Sequence, residues 1–220
     1  MRELKQYTAE LIGTFALVFC GTGAIVINEV TGGTVSHLGI AATFGAIVTA
    51  VIYSIGEQSG AHINPAVTIA FYLSGRLKLK KVLPYITFQV TGALLASLLV
   101  WYLFPQNELL GTTLPAFEVK QTFILEVLLT FILMFVIIQV STGSKEQGLL
   151  AGIAIGLVVF LEAAFAGPIT GASMNPARSI GPAIVSGHME HLWVYIAAPV
   201  LGAGLSIAVW KFLKPHNDKA

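Results

Sequence analysis

The sequence predicts an all-α membrane protein built from six spanning helices and two half-length helices in inverted three-span repeats. Composition is the first reason: of 220 residues, 55% are hydrophobic and only 10% charged, against about 25% charged in a soluble domain. The mean hydropathy of +0.82 agrees. The second reason is a set of six apolar stretches, each close to the ~20 residues that cross roughly 30 Å of hydrocarbon. The third is that the chain matches itself at an offset of a little over one hundred residues.

In order, the expected spans are Thr8–Ile27, His37–Gly56, Leu83–Phe104, Phe123–Val140, Leu149–Ala166 and Leu192–Leu213. The residues before Thr8 lead into the first stretch with no small-residue cleavage site behind it, so it reads as a span and not as a signal peptide. Two further apolar segments, Pro65–Ser74 and Pro176–Ser186, are half that length. Each opens with Asn-Pro-Ala and ends before a glycine, Gly75 or Gly187. That is helix grammar, with Asn at the N-cap, Pro at the first helical position and Gly past the end. Irregular backbone at membrane depth is tolerated only against protein or a water-filled cavity, so two half-helices predict a cavity. Arg2, Lys5, Arg76, Lys78, Lys80, Lys81, Lys145, Lys211, Lys214 and Lys219 fall on one side of this topology, leaving Lys120 and Arg178. The positive-inside rule then places both termini in the cytoplasm of a cell (plasma or inner) membrane.

The self-similarity is specific. Ser59-Gly-Ala-His-Ile-Asn-Pro-Ala-Val-Thr68 matches Thr170-Gly-Ala-Ser-Met-Asn-Pro-Ala-Arg-Ser179. Glu10, Thr14 and Phe15 match Glu126, Thr130 and Phe131, and Val90-x-Gly92 matches Val200-x-Gly202. The chain is read as one channel domain, residues 1–220, with repeats at about 1–104 and 118–220. Three spans per repeat is an odd number, so the second repeat inserts upside-down, and the functional site belongs near the midplane. The two half-helices would meet there N-terminus to N-terminus, each carrying unpaired N–H groups and about half a positive charge. With their side-chain oxygens engaged as caps, Asn64 and Asn175 would each keep an NH2 group free to donate into a pore.

Other classes are disfavoured. A net charge of +1 offers no basic face for nucleic acid. One cysteine, Cys20, allows no internal disulfide, and no Cys/His cluster has metal-ligand spacing. No nucleophile–base pair or paired-carboxylate cleft suggests an enzyme, and no cofactor is implied. A coupled transporter would share the inverted repeats but needs an ion-coupling site, for which only Glu10 and Glu126 are available. Intramembrane carboxyls are expensive, and their symmetry suggests instead that each holds a re-entrant loop.

The two Asn-Pro-Ala loops, the Glu10/Glu126 pair and Arg178 resemble the major intrinsic protein (aquaporin) family over the whole chain. The run Phe165-Ala-Gly-Pro-Ile-Thr-Gly-Ala-Ser-Met-Asn-Pro-Ala-Arg-Ser-Ile-Gly-Pro-Ala-Ile-Val185 is most similar to its nodulin-like branch, as is Gly60–Phe71. The resemblance implies an hourglass fold, a homotetramer with a pore in each protomer, and a constriction at Asn64, Pro65, Ala66, Asn175, Pro176 and Ala177. It implies a second constriction, the selectivity filter, at Phe44, Ala163, Ala172 and Arg178, and a loop-bonding role for His62. Exclusion of protons and cations by half-helix dipoles and an arginine is the account given for this family.

Water-selective members carry a histidine where this chain has Ala163, and glycerol facilitators an Asp where it has Ser179. Ser179, Ala183, Tyr195 and Ile196 resemble the nodulin-like pattern, which implies passage of water, glycerol, urea and undissociated arsenous, boric or silicic acid. A water-selective channel is the alternative. Phe44, where that branch commonly has Trp, and Glu57 and Glu162, where His and Asn are expected, depart from it.

Overall fold

The computed structural model describes residues 2–213. Lys214 and Lys219, and the side chain of Arg2, lie outside the described residues. Eight helices follow in order: α1 (Arg2–Val30), α2 (Ser36–Ser59), α3 (Pro65–Leu73), α4 (Leu79–Leu103), α5 (Val119–Thr142), α6 (Lys145–Thr170), α7 (Pro176–Ser186) and α8 (Leu192–Leu213). Six are long and apolar enough to cross a membrane, α3 and α7 are the short pair, and there is no strand among the described residues. The chain is an integral, multi-pass membrane protein with the hourglass architecture.

Most spans run past the apolar stretches that signal them. α1 begins at Arg2 instead of Thr8, and α6 at Lys145 instead of Leu149. The hydrocarbon thickness limits the apolar run but not the helix, which continues into the headgroup region wherever no Pro or Gly stops it. The short helix α3 ends at Leu73, one residue earlier than expected, with Ser74 as its cap.

The packing repeats in the two halves. α1 lies along α4 as α5 lies along α8, and α2 crosses α6 between the halves. A Cβ on Gly92 would strike the Leu11 carbonyl oxygen, and one on Gly202 would strike that of Val127. Where α2 crosses α6, a Cβ on Gly45 would lie 2.6 Å from the Gly156 carbonyl, and the reverse distance is also 2.6 Å. Close backbone approach at small residues is how helices associate in lipid, where apolar burial between them gains little. The half-helices are exchanged: α3 packs on α8 of the other half, and α7 on α4.

Candidate channel and its constrictions

Each re-entrant loop leaves its spanning helix at a left-handed glycine, Gly60 (φ 89) or Gly171 (φ 82). It then alternates through further left-handed residues, Ala61 (φ 46) and Ile63 (φ 45) in the first loop, Ala172 (φ 42) and Met174 (φ 53) in the second. For side-chain-bearing residues this conformation costs roughly 1–2 kcal/mol each, so something must hold it. In the first loop, Glu10 accepts from the backbone N–H groups of His62 (2.9 Å) and Ile63 (2.6 Å) and from Nε2 of Gln89 (2.8 Å). In the second, Glu126 accepts from Ser173 N–H (2.8 Å), Met174 N–H (2.9 Å) and the Thr170 hydroxyl (2.8 Å). Both carboxyls are fully buried. Two tyrosines brace the loop roots in the same matched way: Tyr85 donates to the Ser59 carbonyl and Tyr195 to that of Thr170, each at 2.8 Å.

The loops deliver the two asparagines to the junction of the two halves as helix caps. Asn64 Oδ1 accepts from Ala66 N–H at 2.9 Å, and Asn175 Oδ1 from Ala177 N–H at 3.0 Å, with Pro65 and Pro176 opening α3 and α7. The amide groups are not left wholly free. Asn64 Nδ2 donates to the Met174 carbonyl and Asn175 Nδ2 to the Ile63 carbonyl, each at 2.8 Å. One of the two N–H bonds on each amide therefore ties the loops together. The left-handed turn at residues 63 and 174 aims those carbonyls across the interface, a geometry that no spacing in the sequence reveals.

A cavity of about 140 Å³ runs past this junction. Phe44, Val48 and Ile52 line it on successive turns of α2, facing Val159, Ile155 and Ala151 on α6 and Leu133, Ile137 and Ser141 on α5. Eight residues from Phe44 to Ile52 at ~1.5 Å each make the lined stretch about 12 Å long on α2 alone. Asn64 and Asn175 border it, and Phe44, Ala172 and Arg178 close the end away from the chain termini. Almost every other lining group is apolar, so the polar contacts along the path are few and fixed.

Arg178 is 2% exposed. Its Nη1 donates to the Gly111 carbonyl at 2.8 Å, and the guanidinium stands 5.1 Å from the Phe44 ring centroid. Gly111 can present that carbonyl because its own α-carbon packs against Thr22, where a Cβ would not fit. Hydroxyls continue the support: Thr113 bonds Ser179 (2.7 Å), Ser179 bonds Ser173 (2.6 Å), and Ser173 donates to the Asn175 carbonyl (3.0 Å). The α4–α5 connection is thereby fastened to the second loop.

Several expected site residues sit differently. Ala163 is buried in the same apolar cluster as Phe44 and Ala172, but it is not among the residues that border the cavity. The His62 ring does not bond loop backbone; Nδ1 meets the Thr68 hydroxyl at 3.1 Å and the ring stacks on Phe71 at 4.5 Å. Glu57 is exposed at the end of α2, whereas Glu162 is buried with no protein partner for either oxygen. No group of three or more His, Cys, Asp or Glu gathers to hold a metal among the described residues. Tyr85, Gln89 and Gly111 were not singled out by sequence. Tyr85 was findable, because it matches Tyr195 at the same offset as Val90 and Val200.

Comparison with known proteins agrees with this geometry. The family model for the major intrinsic protein matches residues 1–210. Aquaporin NIP1-2 of Oryza sativa subsp. japonica is 46% identical over 96% of this chain and 74% of its own length. Nodulin-26 of Glycine max is 42% identical over 98% of this chain and 80% of its own. The X-ray structure of the aquaglyceroporin from Plasmodium falciparum superposes with a TM-score of 0.88 at 25% identity, covering 96% of each chain.

Proposed function

The chain belongs to the major intrinsic protein family and is a channel for water and small solutes, not an enzyme; from that premise we propose that it passively conducts small uncharged polar solutes as well as water. The solutes we name are glycerol, urea and undissociated arsenous, boric or silicic acid. The observation that carries this reading is the end of the cavity at Phe44, Ala172 and Arg178, where no histidine narrows the wall and Ala172 contributes only a methyl. The fixed donors there belong to the Arg178 guanidinium, which borders the cavity and is held by Nη1 at the Gly111 carbonyl, suited to a passing hydroxyl.

Two α-helix N-termini and one remaining N–H on each of Asn64 and Asn175 face the cavity at its middle. They disfavour hydronium and orient a passing water as a double acceptor, which supports exclusion of protons and cations. The same reading places both termini in the cytoplasm of a cell membrane and four copies in a homotetramer.

A specific observation favours the water-selective alternative: Ala163 does not border the cavity and Arg178 stacks close to Phe44. Stopped-flow light scattering on proteoliposomes decides between them. Reswelling in glycerol or urea faster than in empty liposomes supports solute conduction. Fast shrinkage with no reswelling means a water channel.

A further inference from the structure

The two halves do not brace their asparagines in the same way. In the first, the Thr68 hydroxyl donates to the Asn64 carbonyl at 3.0 Å. Besides meeting His62, it accepts from Gln89 Nε2 at 2.9 Å, a donor borne by the spanning helix α4. Gln89 carries a second bond, to Glu10. In the second half Ser179 takes the place of Thr68. At the offset that pairs Tyr85 with Tyr195 and Gly92 with Gly202, the place of Gln89 falls to Pro199, inside α8. Proline has no side-chain donor, so α8 cannot supply either bond. Thr170 replaces one of them, donating to Glu126 at 2.8 Å.

Counting hydroxyl hydrogens shows what replaces the other. Ser173 donates its one hydrogen to the Asn175 carbonyl at 3.0 Å, so in its 2.6 Å contact with Ser179 the donor is Ser179. With that hydrogen engaged, Ser179 is the acceptor in its 2.7 Å contact with Thr113. The chain of bonds therefore runs one way, from Thr113 to Ser179 to Ser173 to Asn175, and all four residues are buried. Its source lies outside the spanning helices, in the α4–α5 connection. The preceding residue, Thr112, bonds Ser186 at 3.0 Å. Ser186 stands about two turns beyond Ser179 on the same face of α7, so the connection is clipped to α7 twice. Gly111, whose carbonyl holds Arg178, lies directly before the two clips.

We propose that Thr113 is a positioning residue for the second half of the pore: it stands in for the donor that Pro199 cannot supply, so an outer connection, and not a spanning helix, sets where Asn175 and Arg178 stand. Without its hydroxyl, Ser179 keeps its bond to Ser173 but receives none, and a buried acceptor left short of a partner is costly. The stretch that presents the Gly111 carbonyl also loses the clip at Ser179. Asn175 and Arg178 would then shift together, because one short length of chain addresses both. The inference rests on the reading above that Arg178 bounds the solute path.

The test uses the full chain in proteoliposomes, as wild type, Thr113→Val, which keeps the shape without the hydroxyl, Thr113→Ser, which restores the donor, Ser179→Ala, and the double variant of Thr113→Val with Ser179→Ala. Stopped flow reads glycerol and water fluxes. Misfolding lowers both in proportion, whereas a displaced Asn175 and Arg178 should change their ratio several-fold. Thr113→Val should show that change, Thr113→Ser should return the wild-type ratio, and the double variant should go no further than the larger single effect. An unchanged ratio in Thr113→Val, a Thr113→Ser ratio no nearer wild type, or effects that add in the double variant overturns the proposal. Solid-state nitrogen NMR of arginine-labelled protein, with Arg178→Ala identifying the signal, follows the guanidinium without any conduction. Its resonances should move in Thr113→Val and return in Thr113→Ser; resonances that stay in place overturn the proposal. Resonances that move and return, with no glycerol flux in wild type, support the positioning role and refute the solute reading instead.

Discussion

Truncating Glu10 to alanine isolates what holds the first loop. Two backbone N–H groups, those of His62 and Ile63, lose the carboxylate they donate to, while Gln89 keeps the Thr68 hydroxyl at 2.9 Å as a second acceptor. Hydrogen bonds to a charged group contribute about 1.5–3 kcal/mol each, so the pair accounts for about 3–6 kcal/mol. That matches the roughly 2–4 kcal/mol of strain in left-handed Ala61 and Ile63 that the carboxylate offsets. Removing Glu10 also removes a buried carboxyl and its desolvation cost, which favours the lower end, about 3 kcal/mol. For a chain of this size that corresponds to a fall in thermal midpoint of about 6–12 °C. The assay is thermal unfolding of purified protein in detergent, followed by water flux of the survivors, which should drop because Asn64 no longer holds its place. A midpoint within about 2 °C of wild type, less than one kcal/mol by the same scaling, would refute the assignment of loop support to this carboxylate.

Three further outcomes are expected. Ala163→His should abolish glycerol flux while sparing water in the stopped-flow assay, because an imidazole reaches the lumen from a position whose methyl does not border it; unchanged glycerol flux would remove this position from the filter. Arg178→Ala should let small cations through planar bilayers that wild type keeps insulating, because the buried positive charge is lost; unchanged conductance would assign the barrier to the half-helices alone. Gly92→Ala and Gly202→Ala should each cut the yield of folded protein sharply, as each Cβ meets a neighbouring backbone carbonyl that cannot yield like a side chain; overpacking of this kind costs about 1–3 kcal/mol or more.

The half-helices were legible because short-range chemistry writes them: an asparagine cap, a proline that lacks the N–H a cap would leave orphaned, and a terminating glycine. The carboxylates were legible because Glu10 and Glu126 stand at matched offsets, and charge at membrane depth has to be explained. Helix ends were not, since apolar length reports the lipid and not the hydrogen-bond ladder, so α1 and α6 start several residues early. The cross-loop amide bonds were hidden because they depend on left-handed backbone at Ile63 and Met174, neither of which advertises it. Ala163 was placed by family spacing, which fixes its turn on α6 but not whether a methyl reaches the lumen. The burial of Glu162 was also illegible. In a span, lipid and protein neighbours both select apolar residues, and the periodicity that marks a buried face in water is flattened.

The reciprocal bonds from Asn64 to Met174 and from Asn175 to Ile63 bear on how such a chain could arise. A single three-span half inserted alone would strand one amide hydrogen and one loop carbonyl in the middle of the bilayer, each short of a partner. A second half inserted in the same sense presents its loop from the same face and leaves them stranded. One inserted in the opposite sense supplies both missing groups at once. The junction is thus a chemical test of orientation that only an antiparallel pair passes. An ancestral half-chain able to insert both ways would have satisfied it as a dimer before any duplication fused the two copies.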